Sequence, residues 1–228
     1  MNAQADRDPF LTMKPIPQSG ATVQSFVPKG WAIESEVKGD LDGNGTLDSV
    51  VVIWDTTKKN RDEELAENEA GGENVIVEDG NRGLLILLKG MDGRYKFAGL
   101  GKNTLLCAGC YGMLGGLGGG HPDIKIKNQV ISIEQFSGSR DQQDDTLRFR
   151  YDKTVNRFRL IGVDNKHTDR LTCVTDVTSI NYLSNIKATS TLVCKENTEA
   201  KAIPEHKEKI EPKVWYLEDY VYYKEADN

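Results

Sequence analysis

The chain has 228 residues and a formal net charge of −6, with a pI near 5.2; this balance argues against binding to a phosphate backbone, which needs a basic face, so nucleic acid is not the expected partner. Hydrophobic residues make up 38% and charged residues 28%, enough apolar material to close a core beneath a well-solvated surface. The longest purely apolar runs, residues 50–54 and 84–88, are five residues each, against the roughly 20 needed to cross a bilayer, so no membrane span is expected.

Residues 1–25 hold three prolines among many polar side chains and read as an extended N-terminal arm, laid on the surface or left loose. Ala3-Gln4-Ala5 has the small-x-small pattern left near a signal-peptidase site, as expected of a mature exported chain with a new initiator Met. From residue 26 to residue 228 nothing resembles a linker, and a single β-rich domain is predicted. Residues 31–37 are rich in β-formers and enter an acidic loop as a strand, and residues 49–54 leave it as a buried one. Residues 57–82 form a polar insertion with eight acidic and four basic side chains, read as a solvated loop because it offers almost no apolar face to dock.

After Gly83 the pattern is a meander. Strands at 84–89 and 95–100 flank a Met91-Asp92-Gly93 turn, and Asp-Gly is a strong hairpin signal. Residues 124–127 and 130–134 alternate around Asn128-Gln129, and 146–151 pairs with 157–162 across 152–156. Residues 164–170 read as a polar turn. Two further strands fall within 171–194, divided at 181–185. Residues 196–212 are charged and mixed, and 214–223 has the aromatic and β-branched content of a closing strand. The prediction is an all-β, mainly antiparallel meander of about 9–11 strands forming a sandwich or open barrel, with few short helices.

Four cysteines allow three disulfide connectivities; two local bridges, Cys107–Cys110 and Cys173–Cys194, are the simplest, and the even count favours a periplasmic or secreted location. Cys107-Ala-Gly-Cys110 could instead be a redox pair or, with His121, part of a zinc site. The βαβ context of a redox motif is missing: a glycine-rich run follows to Gly120, with no Lys-Ser/Thr to make it a phosphate cradle. His121, His167 and His206 each have a bland reading as surface residues.

The most specific signal is Asp40-Leu41-Asp42-Gly43-Asn44-Gly45-Thr46-Leu47-Asp48. Oxygen-bearing side chains fall at loop positions 1, 3, 5 and 9, a carbonyl is available at position 7, and glycine stands at position 6 for the sharp turn. Calcium accepts six to eight oxygens at loose angles, so alternate residues of a tight loop can all aim at it. Asp40, Asp42, Asn44 and Asp48, with the Thr46 carbonyl and water, form the expected Ca2+ shell. Position 12 is Val51 rather than the bidentate Glu of an EF-hand. The nine residues resemble the strand-loop-strand calcium loops, D-x-D-x-N-G-x-x-D, of integrin-type FG-GAP and VCBS propeller repeats. The motif occurs once, so the propeller architecture is not implied. The wider order, from Phe26-Val-Pro-Lys-Gly-Trp through the acidic loop, Gly83-Leu-Leu-Ile-Leu-Leu and Leu106-Cys-Ala-Gly-Cys to Phe158-Arg-Leu-Ile-Gly, resembles a group of exported bacterial proteins of undefined activity.

The expected function is therefore an exported calcium-binding protein acting as a non-enzymatic binding or inhibitory module. Its partner would be a protein, either an envelope protein or a toxin that it neutralises as an immunity protein. The alternative is a cell-wall or polysaccharide hydrolase using paired carboxylates such as Glu134, Asp144 or Asp145, which would need to stand about 5–10 Å apart. The aromatic side chains at 215–223 could offer a sugar-stacking or protein-binding face, or fill core.

Overall fold

Two uninterrupted apolar runs, Val50 to Ile53 and Leu84 to Leu87, are wholly buried, and they mark the middle of the fold. In the computed structural model, which describes residue 10 and residues 13–56, 81–115, 120–195, 198–202 and 205–222, the chain forms β1 (Ser19–Gly20), β2 (Trp31–Gly39), β3 (Asp48–Asp55), β4 (Arg82–Lys89), β5 (Tyr95–Gly101), β6 (Asp123–Lys127), β7 (Val130–Gly138), β8 (Asp141–Asp152), β9 (Arg157–Asp169), β10 (Val174–Asn181), β11 (Ile186–Lys195), β12 (Thr198–Ala202) and β13 (His206–Lys209). Short 3-10 segments occupy Val23–Phe26 and Ala108–Gly115. The signal-peptidase-like pattern at 3–5, all but the last two residues of the polar insertion, and residues 116–119 of the glycine run lie outside the described residues.

Five strands make one antiparallel sheet in the order β1-β5-β4-β3-β2; the others make a second in the order β12-β11-β10-β9-β8-β7-β6, with β13 also pairing β11. The architecture is the antiparallel meander expected, arranged as an open sandwich. Alternation along each strand explains both cores. Val50, Val52, Leu84 and Ile86 point toward Ile131, Ile133, Leu147, Phe149, Phe158 and Leu160 of the larger sheet. Val51, Ile53, Leu85 and Leu87 point the other way, onto Phe10, Phe26, Trp31, Tyr95 and Leu100. The smaller sheet is thus buried on both faces, which is why β3 and β4 read as continuous apolar runs. Part of the N-terminal arm supplies the second cover: Phe10 is buried beside Phe26, Met13 and Ile16 pack against the same cluster, and Ser19 and Gly20 pair with β5.

At one margin the sheets come together where β2 meets β6. A Cβ on Gly39 would stand 2.5 Å from Ile126, so this approach requires glycine. The acidic loop begins at the next residue. The β6–β7 connection is two residues long, with Asn128 and Gln129 both at positive φ, the geometry that matches strand twist in tight hairpins.

Three expectations need correction. Residues 164–169 continue β9 rather than turning, because each pairs with β8 on one side and β10 on the other and the ladder outweighs their polar composition. The charged stretch after residue 196 contributes β12 and β13, edge strands that tolerate charge because one side faces water. Residues 214–222 form no strand: Tyr216 bridges Arg159, Val221 bridges Asn103, and a turn joins Tyr216 to Asp219 and Tyr220. The segment ties the two sheets together instead of extending either.

Candidate metal centre

Gly39 and Asp48 are cross-strand partners at the end of the β2–β3 ladder, so residues 40–47 form the whole connection. Gly45 sits at φ 83° with nothing within 4 Å of its absent Cβ, the left-handed turn that position 6 requires. Asx-type hydrogen bonds shape the rest. Asp40 accepts from the Gly43 amide at 2.7 Å and the Gly45 amide at 3.1 Å, and Asp42 accepts from the Asn44 amide at 3.0 Å. These are local side-chain bonds that Asp and Asn offer a turn with no metal present.

Asp48 is wholly buried. One of its oxygens accepts from the Leu41 amide at 2.7 Å and the other from the Lys89 amide, also at 2.7 Å. A single carboxylate thus joins the acidic loop to the β4–β5 turn. Burial pushes its pKa up, the two amide hydrogen bonds pull it down, and the charges of Asp42 and Asp40 push it up again. Carboxylate oxygens of Asp40, Asp42 and Asp48 all lie within 4.8 Å of one another. Among the described residues none of the three forms a salt bridge. Burial and then the nearby charges of Asp42 and Asp48 also raise the phenol of Tyr151.

The side chains of Asn44 and Thr46 turn elsewhere, and the ligand expected at Thr46, its backbone carbonyl, takes no part in their contacts. Asn44 donates to Asp42 at 3.1 Å and to the Lys89 carbonyl at 3.0 Å, while its own oxygen accepts from the Thr46 amide at 2.7 Å. The Thr46 hydroxyl lies 2.6 Å from that oxygen and 2.5 Å from the Lys89 carbonyl. Asp40, Asp42 and Asp48 are brought together; Asn44 and Thr46 are turned onto the neighbouring β4–β5 turn. Nothing in the spacing of the motif pointed to Lys89, which reaches the loop only through the pairing of β3 with β4.

Cys107 and Cys110 are joined as a disulfide, so neither thiolate is left to share a zinc ion with His121. Cys173 is disulfide-bonded as well, and Val174 beside it pairs with Val193; the side chain of Cys194 lies outside the described residues. The His121 Nδ1 instead stands 2.5 Å from Glu34. Glu34 also takes two hydrogen bonds from the buried guanidinium of Arg82, at 2.6 and 2.5 Å, and Arg82 lies over the Tyr111 ring at 5.7 Å. Sequence reading passed over this cluster because its members come from three separate segments.

Glu134, Asp144 and Asp145 line one groove of about 450 Å³ together with His121. Adjacent residues of a strand point to opposite faces, and Asp145 is turned inward. Its carboxylate accepts from Gln143 at 3.0 Å, from Asn165 at 2.6 Å and from the Tyr222 hydroxyl. Burial raises its pKa against those three bonds. Glu134 and Asp144 therefore share the outer face of β7 and β8, and Asp145 does not. Compared with known proteins, the chain matches no family model, no curated protein and no solved structure.

Proposed function

We propose that the chain is an exported, calcium-braced protein that acts by binding rather than by catalysis, with Ca2+ held on Asp40, Asp42 and Asp48. The observation that carries this reading is the trio of carboxylates within 4.8 Å. Like charges this close disfavour one another unless a cation joins them, and an all-oxygen set on a short loop suits a hard ion such as calcium. On filling, Asn44 would release Thr46 and turn its oxygen inward, with the Thr46 carbonyl and water completing a single-copy loop of the FG-GAP and VCBS type. Calorimetric titration with calcium tests it: binding is expected in the wild type and lost in Asp42→Ala. Absence of heat, together with a melting temperature indifferent to chelator, overturns it.

The formed disulfides support an oxidising compartment, and no helix among the described residues is long and apolar enough to cross a membrane. A protein partner is supported by what surrounds the acidic loop. Leu47 and Met91 are 57% and 90% exposed on the two turns that Asp48 and Lys89 hold together, an apolar pair beside an acidic surface. We read this end of the molecule as the docking face, whether for an envelope protein or for a secreted effector that the chain neutralises as an immunity protein. Affinity capture from periplasmic extract should recover a stoichiometric partner on the wild type but not on a Leu47→Asp, Met91→Asp variant; equal recovery on both removes the docking face from consideration.

The hydrolase reading keeps one supporting observation: Glu134 and Asp144 line the same outer groove as a histidine whose Nδ1 is held by Glu34. Polysaccharide cleavage lost in Asp144→Asn would favour it, and an inert wild type would dismiss it.

A further inference from the structure

Where the C-terminal segment folds over the inner face of β8–β11, it encloses a second cleft, of about 750 Å³, away from the acidic loop. That volume suits a small organic ligand. Asp145 lies in its floor and is only 7% exposed. Its three partners, Gln143, Asn165 and Tyr222, are all neutral donors, and no cation forms a salt bridge with it among the described residues. Lys187, which also lines the cleft, is paired with Glu208 at 3.6 Å, and Lys209 and Lys213 line it without forming a salt bridge to Asp145 among the described residues. A carboxylate held this deep without a counter-charge is costly, and the cost falls when a cation approaches.

Two further features of the lining point to a ligand. Trp215 Nε1 is buried with no hydrogen-bond partner among the described residues, an unmet donor in the wall of the cleft. Tyr182, Trp215, Tyr220 and Tyr222 bring four aromatic rings to one cleft, and the negative ring faces attract ammonium groups. Since a carboxylate oxygen accepts more than one hydrogen bond, the Asp145 oxygen bonded by Tyr222 can take another donor. We propose that this cleft is a binding site for a small organic amine, its ammonium group set against Asp145 and the aromatic rings. The site is independent of the calcium loop, so either can fail alone.

Tryptophan fluorescence and calorimetry on the whole chain, in calcium-free buffer, test this with matched probes: tyramine against para-ethylphenol, choline against dimethylbutanol, and glucosamine against glucose. At least one amine should bind about tenfold or more tightly than its uncharged counterpart, a clear difference on the free-energy scale. Asp145→Asn should erase that preference, and Trp215→Phe should weaken the amine several-fold. Neutral probes binding as tightly as the amines, an amine preference that survives in Asp145→Asn, or no binding by any amine at millimolar concentration overturns the proposal. Should Asp145→Asn fail to fold, binding unchanged in Trp215→Phe overturns it equally.

Discussion

Asp48 shows how one side chain serves architecture and chemistry together. Its two oxygens hold the amides of Leu41 and Lys89, so Asp48→Ala would leave both donors without their acceptor in a buried place, at about 1–3 kcal/mol each. A loss of roughly 2–6 kcal/mol in urea unfolding is expected with or without calcium. Among the described residues Asp42 accepts only from Asn44, on a partly exposed loop, so Asp42→Ala should cost under about 1 kcal/mol in chelator while abolishing any stabilisation by calcium. Equal losses in the two variants would show that Asp48 has no special structural part. Asp145 makes a different statement. Burial raises its pKa above the ordinary 3.8, so its ionised form weighs against folding; that penalty is fully present above the folded-state pKa and disappears as pH falls through it toward 3.8. Tyr222, Gln143, Asn165 and Asp144 act on the group directly, and Lys187, Lys209 and Lys213 line the same cleft. Melting temperature followed from neutral pH to about pH 4 should show the wild type gaining stability relative to Asp145→Asn. Parallel curves would remove Asp145 from the pH dependence.

Strands here are shaped by what covers them. β3 and β4 lost the polar alternation of an outer sheet because the other large sheet covers one face and the N-terminal arm the other. β9 runs for thirteen residues because it has two successive partners on one side: the C-terminal segment bonds Phe158 and Leu160, and β10 takes over from Gly162. The short 3-10 stretch at Ala108–Gly115 contains half of the Cys107–Cys110 bridge. The loop closed by that bridge is short, with a sequence separation of 3, so the chain-entropy relation assigns it only about 2 kcal/mol. The double change to serine should lower unfolding free energy by that order and leave the cooperative transition intact; loss of folding would mean the bridge does more than restrict the unfolded chain.

The assembled molecule depends on the segment from Val214 to Tyr222. Leu217 is wholly buried in the shared core, its amide bonds the Phe158 carbonyl, and the segment continues to a bridge with Asn103 beside the smaller sheet. Arg157 anchors the same stretch through Glu218, at 2.8 Å, and Asp219, at 2.9 Å, while lying 4.1 Å above the Tyr216 ring. Truncating a fully buried leucine costs the transferred methyl groups and the cavity left behind. Leu217→Ala should therefore lose about 2–5 kcal/mol, measured by chemical denaturation; a loss below about 1 kcal/mol would mean that the strap is dispensable to the sandwich.

Residue pattern alone was enough for the local features. The alternation of β6, β7 and β8, the Asp-Gly and Asn-Gln turns, the all-β class and the nine-residue acidic loop all depend on contacts between near neighbours, which spacing encodes directly. Asp40, Asp42 and Asp48 were legible for that reason. Long-range pairing settled what spacing could not. It placed Lys89 against the loop and turned Asn44 and Thr46 onto it. It drew the polar residues 164–169 into a strand, and it set Arg82, Glu34 and His121 together from three segments. Asp144 and Asp145 are neighbours in the chain, yet one faces water and the other a buried cleft. Strand alternation made that division inevitable, but which face became interior was decided only when the two sheets and the C-terminal strap closed over it.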